Sequence, residues 1–133
     1  MEEQMILAEF TSMHNQFMLE WNEAMRTGDT SSVEKMVENY YVAFFHGLHN
    51  EPVLFNKEEA LSGMKQSVTQ LLGAEKRFDN RVIRLRNNEN AVVFYELTIV
   101  KENEIIAKLF TIENWAFIDN KWVIAREIEE AIL

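Results

Sequence analysis

The chain has 133 residues, the usual size of one domain, and 47% of them are hydrophobic, enough to build a core. Acidic residues outnumber basic ones 22 to 13, a formal net charge of −9 with no basic stripe, which argues against a nucleic-acid partner and against an anionic membrane surface. There is no cysteine, so disulfides, thiolate metal sites and cysteine nucleophiles are excluded.

The opening Met1-Glu2-Glu3-Gln4 lacks the basic start and apolar run of a signal peptide. No apolar stretch approaches the ~18 residues of a membrane span. The expectation is one cytoplasmic domain over residues 1–133. Ile6, Phe10, Met13, Phe17, Trp21 and Ala24 recur at three- and four-residue steps, which predicts a helix over residues 3–27 that Gly28 stops. Ser31 and Glu34 have capping-box spacing and predict a second, shorter helix with Val33, Met36, Val37, Tyr40 and Tyr41 on its apolar face. Residues 42–48 suit a strand, Asn50-Glu51-Pro52 a turn, and Val53 to Phe55 a return strand. Asn56 and Glu59 repeat the capping pattern and predict a third helix from Lys57 to Leu72, ended by Gly73. Beyond it the period changes to alternation. Segments near 78–87, 91–101, 104–118 and 121–130 are separated by Asn88-Glu89, Glu102-Asn103 and Asp119-Asn120, as in a four-stranded antiparallel meander.

This order of elements resembles the nuclear transport factor 2-like superfamily over nearly the whole chain. The most specific stretch, Trp115-Ala-Phe-Ile-Asp-Asn-Lys-Trp122, is similar to the penultimate hairpin of the calcium/calmodulin-dependent kinase II association domain and its bacterial relatives. There, two tryptophans flank an Asp-Gly turn; here Asn120 replaces the glycine, and asparagine also tolerates the left-handed conformation. Trp21, Ala24, Gly28 and Asp29 resemble the first helix-to-helix turn of these families, and Phe55-Asn-Lys-Glu-Glu-Ala their entry into the third helix. The resemblance implies an α+β cone: a curved antiparallel sheet wrapped around the long N-terminal helix, three helices in all, with a pocket between sheet and helix. It does not imply an activity, since the superfamily includes ketosteroid isomerases, dehydratases, epoxide hydrolases, polyketide cyclases and non-enzymatic association domains.

Two-residue turns at Asp119-Asn120 and Glu102-Asn103 predict the sheet register. Phe117 then pairs with Trp122, Trp115 with Ile124, Glu113 with Arg126, Glu96 with Leu109, and Phe94 with Thr111. The interior face would carry Ile83, Leu85, Phe94, Leu109, Trp115, Phe117, Trp122, Ile124 and Ile128, together with Glu96, Glu113 and Arg126. The outer face would carry Arg84, Tyr95, Lys108, Phe110, Ile112, Asn114, Ala116, Val123 and Ala125. Glu113 and Arg126 read either as a cross-strand ion pair bracing the sheet or as a polar pocket floor that orients a ligand carbonyl or carboxylate.

If the Gly28-Asp29 turn is aligned with that of the ketosteroid isomerases, the family's catalytic tyrosine falls at Trp21, its base at Phe45 or His46, and its second acid near Glu113. Only Glu113 keeps a comparable group, so no isomerase activity is expected. The candidate catalytic residues are therefore His46, Glu113 and Arg126. The candidate ligand-binding residues are His14, Phe17, Trp21, Tyr41, Phe45, Phe94, Trp115 and Arg126. One of Tyr40 and Tyr41 is expected to present its hydroxyl to the cavity. His46 and His49 need not converge, so neither a metal nor a cofactor is expected.

Two functions compete. One is a small-molecule pocket for a hydrophobic or carbonyl-bearing ligand, in a binder or a weak or lost polyketide-cyclase-like enzyme. The other is an interaction module with a filled cone. In either case the half-apolar outer face, with Phe110, Ile112, Ala116 and Val123, predicts a homodimer.

Overall fold

The computed structural model of the chain describes residues 2–132. Helix α1 (Glu2–Thr27) buries Phe10, His14, Phe17 and Ala24 along the predicted stripe, with Met25 beside them. Gly28 ends it in the left-handed region, at φ 87°, and donates its N–H to Ala24 O at 2.8 Å. Helix α2 (Lys57–Gln70) opens on the predicted capping box, with Glu59 N–H bonded to the Asn56 side chain at 2.9 Å and Asn56 N–H to the Glu59 side chain at 3.0 Å. Gly73, at φ 89°, follows α2 and donates to Met25 O at 2.8 Å, tying the ends of the two helices together. No helix among the described residues is long and apolar enough to cross a membrane.

The helix predicted at Ser31 does not form, so the described residues hold two α-helices rather than three. Ser31–Val33 make a single 3-10 turn, and strand β1 (Met36–Phe45) follows. The capping spacing misleads because both of its partners are engaged elsewhere. The Ser31 N–H goes to Asp29 Oδ1 at 3.0 Å, and the Glu34 carboxylate accepts from Thr30 Oγ1 at 2.6 Å. Met36, Tyr40 and Val42 are then buried by sheet pairing, an example of tertiary packing overriding a local signal.

Strands β2 (Val53–Asn56), β3 (Glu75–Asn87), β4 (Asn90–Lys101), β5 (Glu104–Ile118) and β6 (Lys121–Ala131) complete one curved six-stranded sheet, ordered β2-β1-β6-β5-β4-β3. Every pairing is antiparallel except β1 with β6, which is parallel. Both predicted two-residue turns form. Glu102 and Asn103 lie at φ 53° and 66°, Asp119 and Asn120 at 52° and 62°, the positive values that a type I′ hairpin requires.

Each of these turns is followed by a bulge, and the bulges overturn part of the predicted register. In β5–β6, Phe117 faces Trp122 and Trp115 faces Ile124, as expected, but Ala125 is then an extra residue. Beyond it Asn114 faces Arg126, and Glu113 faces Glu127 instead of Arg126. In β4–β5, Ile106 is the extra residue, so Glu96 faces Phe110 and Phe94 faces Ile112. A one-residue shift exchanges the two faces of a strand. Tyr95, Glu127 and Glu129 therefore line the concave side. Phe94, Glu96, Arg126 and Ile128, which the uninterrupted register turns inward, lie on the outer face.

Candidate functional site

Glu113 is 1% exposed and lies at the centre of the cone. Its Oε1 accepts from His14 Nε2 at 2.8 Å and from Trp115 Nε1 at 2.9 Å, and its Oε2 accepts from Tyr95 Oη at 2.6 Å. On the far side of the imidazole, Arg81 Nη1 lies 3.0 Å from His14 Nδ1. A guanidinium can only donate, so Nδ1 must be the acceptor and Nε2 must carry the proton. The hydrogen-bond chain thus runs from Arg81 through His14 to the Glu113 carboxylate. Phe10, Phe17, Tyr95 and Trp115 pack around the imidazole with ring centroids 5.7–6.2 Å away and hold it in place.

Above Glu113, a cavity of about 420 Å³ separates the sheet from α1 and α2 and is partly open to solvent. Its walls are mostly apolar, including Phe17, Trp21, Met25, Met64, Val68, Leu97 and Leu109. The polar groups are few: Tyr40, Lys76, Tyr95, Thr111, Glu113, Glu127 and Glu129 at the sheet, with Glu59 and Ser67 on α2. Tyr40 Oη donates to Glu127 Oε1 at 2.7 Å. Burial pushes the Glu127 carboxyl well above the usual range, and repulsion from Glu113 and Glu129 adds to it; the Tyr40 bond and Lys76 oppose the shift. Burial raises Glu129 in the same sense, while Lys76 counteracts it. Both tyrosines, Tyr40 and Tyr95, are raised by burial and by the neighbouring carboxylates, so they are hydrogen-bond donors here. Burial pushes the Lys76 ammonium down to about 8 against the pull of Glu129, Glu127 and Glu113.

Three groups in this cavity have no hydrogen-bond or ion-pair partner for their side-chain polar atoms among the described residues. Thr111 Oγ1 is the one buried side-chain polar atom among the described residues with no hydrogen-bond partner, although Thr111 is 2% exposed. Glu129, directly opposite it on β6, forms no ion pair among the described residues. The Lys76 ammonium sits 3.3 Å above the Trp21 ring, and among the described residues no carboxylate comes within ion-pairing distance.

Of the residues proposed from sequence, Phe17, Trp21 and Glu113 line the cavity. His14 and Trp115 lie beneath it as partners of Glu113. Tyr41, Phe45, Phe94 and Arg126 stand on the opposite face of the sheet, as the register Tyr41–Arg126, Phe45–Glu130 and Phe94–Ile112 places them. Of the two tyrosines, Tyr40 presents its hydroxyl inward and Tyr41 is 41% exposed. His46 and His49 are exposed in the β1–β2 turn, their rings 5.4 Å apart. The sequence reading passed over Lys76, Thr111, Glu127 and Glu129. Unbroken alternation from Ile124 to Ile128 turns Arg126 and Ile128 inward, and the extra residue at Ala125 reverses this, bringing in Glu127 and Glu129. Among the described residues, no group of His, Asp and Glu side chains is arranged as a metal-ligand set.

No family model and no curated protein matches the chain. Solved structures do. An NTF2-like protein with a cystatin-like fold from Novosphingobium aromaticivorans superposes with a TM-score of 0.74 over 98% of this chain and 86% of its own, at 9% identity. The fold is that of the nuclear transport factor 2-like superfamily. A provisionally named scytalone dehydratase from Novosphingobium aromaticivorans gives 0.69 at 13% identity, covering 96% of this chain and 86% of its own. The yeast UBP3-associated protein BRE5 gives 0.67 at 13% identity, covering 92% of each chain. At these identities the NTF2-like likeness is one of fold alone.

Two outcomes follow for this NTF2-like cone. Glu113→Gln places an amide where three donors converge, so it should cost roughly 1–3 kcal/mol of stability, read as a lower Tm, whereas Glu51→Gln in an exposed turn should leave Tm unchanged. Glu127 behaves oppositely. Its folded pKa lies above its unfolded one, so between those two values the native state holds a proton that the unfolded state has lost. Stability therefore falls as pH rises through that window, and the penalty is absent below the ordinary carboxylate range. Glu127→Gln, which keeps an acceptor for Tyr40, should raise Tm at pH ~7 and lose that advantage below pH ~4, measured by thermal denaturation across pH.

Proposed function

We propose that the cavity binds a small, largely apolar molecule carrying a carbonyl group. The observation that carries this reading is Thr111, whose buried hydroxyl has no partner among the described residues and which lines a cavity of about 420 Å³. That volume lies within the ~300–1,000 Å³ common for ligand sites. A buried hydroxyl left unsatisfied costs about 1–3 kcal/mol, and a ligand that bonds it recovers that cost. The chemistry of the walls favours a neutral acceptor. Glu113, Glu127 and Glu129 already repel one another, so a ligand carboxylate would add to the repulsion. A carbonyl oxygen, in contrast, accepts from Thr111 Oγ1 and the Lys76 ammonium without bringing a charge. Glu127 and Glu129, whose carboxyls burial pushes up, are suited to proton transfer on such a molecule, as in a dehydratase-like or polyketide-cyclase-like reaction.

Thr111→Val tests the reading, because it removes the hydroxyl at nearly constant volume. The expected outcome is a protein that is more stable in the free state yet binds a naphthaldehyde or alkyl ketone probe about 3–10-fold more weakly, followed by quenching of Trp21 fluorescence. Unchanged affinity across a panel of carbonyl probes counts against it.

A second reading concerns the outer face, where we propose that a second copy of the chain packs. Phe94, Ile112 and Ile128 lie side by side across three strands, and the Phe94 and Phe110 rings stack 6.2 Å apart. Ile128 is 39% exposed. An apolar row of this kind on a polar chain suits a self-complementary interface. Sedimentation should give a dimer at micromolar concentration, and Ile112→Glu should convert it to a folded monomer.

A further inference from the structure

Lys76 is held more firmly than a rim lysine needs to be. It lies on β3, the edge strand of the sheet, where one row of backbone groups has no strand to pair with. The Asn22 side chain on α1 fills that place. Its Nδ2 donates to Lys76 O at 3.0 Å, and its Oδ1 accepts from Lys76 N at 2.8 Å. The residue before Asn22, Trp21, supplies the ring under the ammonium. One turn of α1 thus grips both the backbone and the head of Lys76 and directs it into the cavity. Glu129 is the carboxylate that acts most strongly on it, yet the two do not reach ion-pairing distance. Both line the same cavity as Thr111.

We propose that Lys76 condenses with the bound carbonyl compound to form an imine, with Glu129 moving the protons and Thr111 holding the oxygen. This rests on the carbonyl-binding reading given above. The neutral amine of Lys76 attacks the carbonyl carbon and a C–N bond forms. The Glu129 carboxylic acid protonates the oxygen, then takes back a proton from the nitrogen, giving the carbinolamine. In the second half Glu129 again protonates the oxygen, the C–O bond breaks and water leaves as the C=N bond forms. The nitrogen then returns a proton to Glu129. The net change is amine plus carbonyl to imine plus water, and both protons in the water come from the lysine. The surroundings favour each part: burial holds the ammonium near neutrality, so a fraction of Lys76 is nucleophilic at neutral pH, and the apolar walls slow hydrolysis of the product.

The test uses the full chain, naphthaldehyde as the probe and borohydride as the trap. Non-covalent binding is followed separately, without borohydride, by tryptophan fluorescence. The expected result is one reduced adduct per chain, mapped by peptide mass to Lys76 and formed about tenfold or more faster than at exposed lysines. Lys76→Arg keeps the cation over Trp21 and guards against loss of the fold; it should bind the probe and form no adduct. Glu129→Gln should bind the probe but slow trapping on the order of tenfold or more. Binding without trapping at Lys76, or trapping no faster than at surface lysines, overturns the imine and leaves the binding reading standing. Absence of binding to the wild-type chain removes the binding reading and the imine with it.

Discussion

A buried carboxylate organises the interior of this protein. Glu113 has almost no contact with solvent and accepts hydrogen bonds from three different directions, one of them from α1 on the other side of the cone. A carboxylate in such a place is tolerated only when its lone pairs are filled, so His14, Tyr95 and Trp115 must all be present and correctly turned. The bond to His14 also docks the long helix on the sheet. Arg81 at the rim fixes the tautomer that makes this bond possible. The field of Glu113 then reaches outward. It raises Glu127 and Glu129 and strengthens the reluctance of both tyrosines to ionise.

The second determinant is the pair of bulges. Ala125 and Ile106 each add one residue to one strand of a hairpin whose turn is regular. Without the first, a guanidinium would occupy the interior place that Glu127 holds. Without the second, Phe94 and Glu96 would replace Tyr95. The interior would then lose a donor to Glu113 and gain a carboxylate elsewhere. Two extra residues therefore decide the electrostatic character of the cavity, although they contribute no polar side chain themselves.

The arrangement divides into a satisfied tier and an open one. The Glu113 network is complete and rigid, and its function is to hold the helix and set the local potential. Thr111, Lys76 and Glu129 line the cavity, and their side-chain polar atoms have no hydrogen-bond or ion-pair partner among the described residues. Unpaired polar groups and mutually repelling acids lower stability, so their concentration in one cavity points to use rather than packing. The same cone supports proteins as different as one named for a dehydratase and one named for its association with UBP3, so the fold leaves the chemistry to these side chains.

The helical stripe of α1, the Asn56–Glu59 cap and the two turns with positive φ were legible in the sequence because each is a local device that acts within a few residues. Glu113 was legible too, since an acid inside an aromatic alternation stands out. The 3-10 turn at Ser31 was not legible: its capping spacing is genuine, but Asp29 and Thr30 take the partners, and β6 draws the following residues into the sheet. The partner of Glu113 was missed for a related reason. Arg126 stands opposite it in an uninterrupted hairpin, and a bulge leaves no mark in the alternation of Ile124-Ala-Arg-Glu-Ile128. The sequence by itself determined most of the elements, their order and the long-range preference for a buried face. Which side chains meet inside the cone depended on a shift of one residue in a strand, whose energy is settled by packing between distant elements, and only the tertiary structure could decide it.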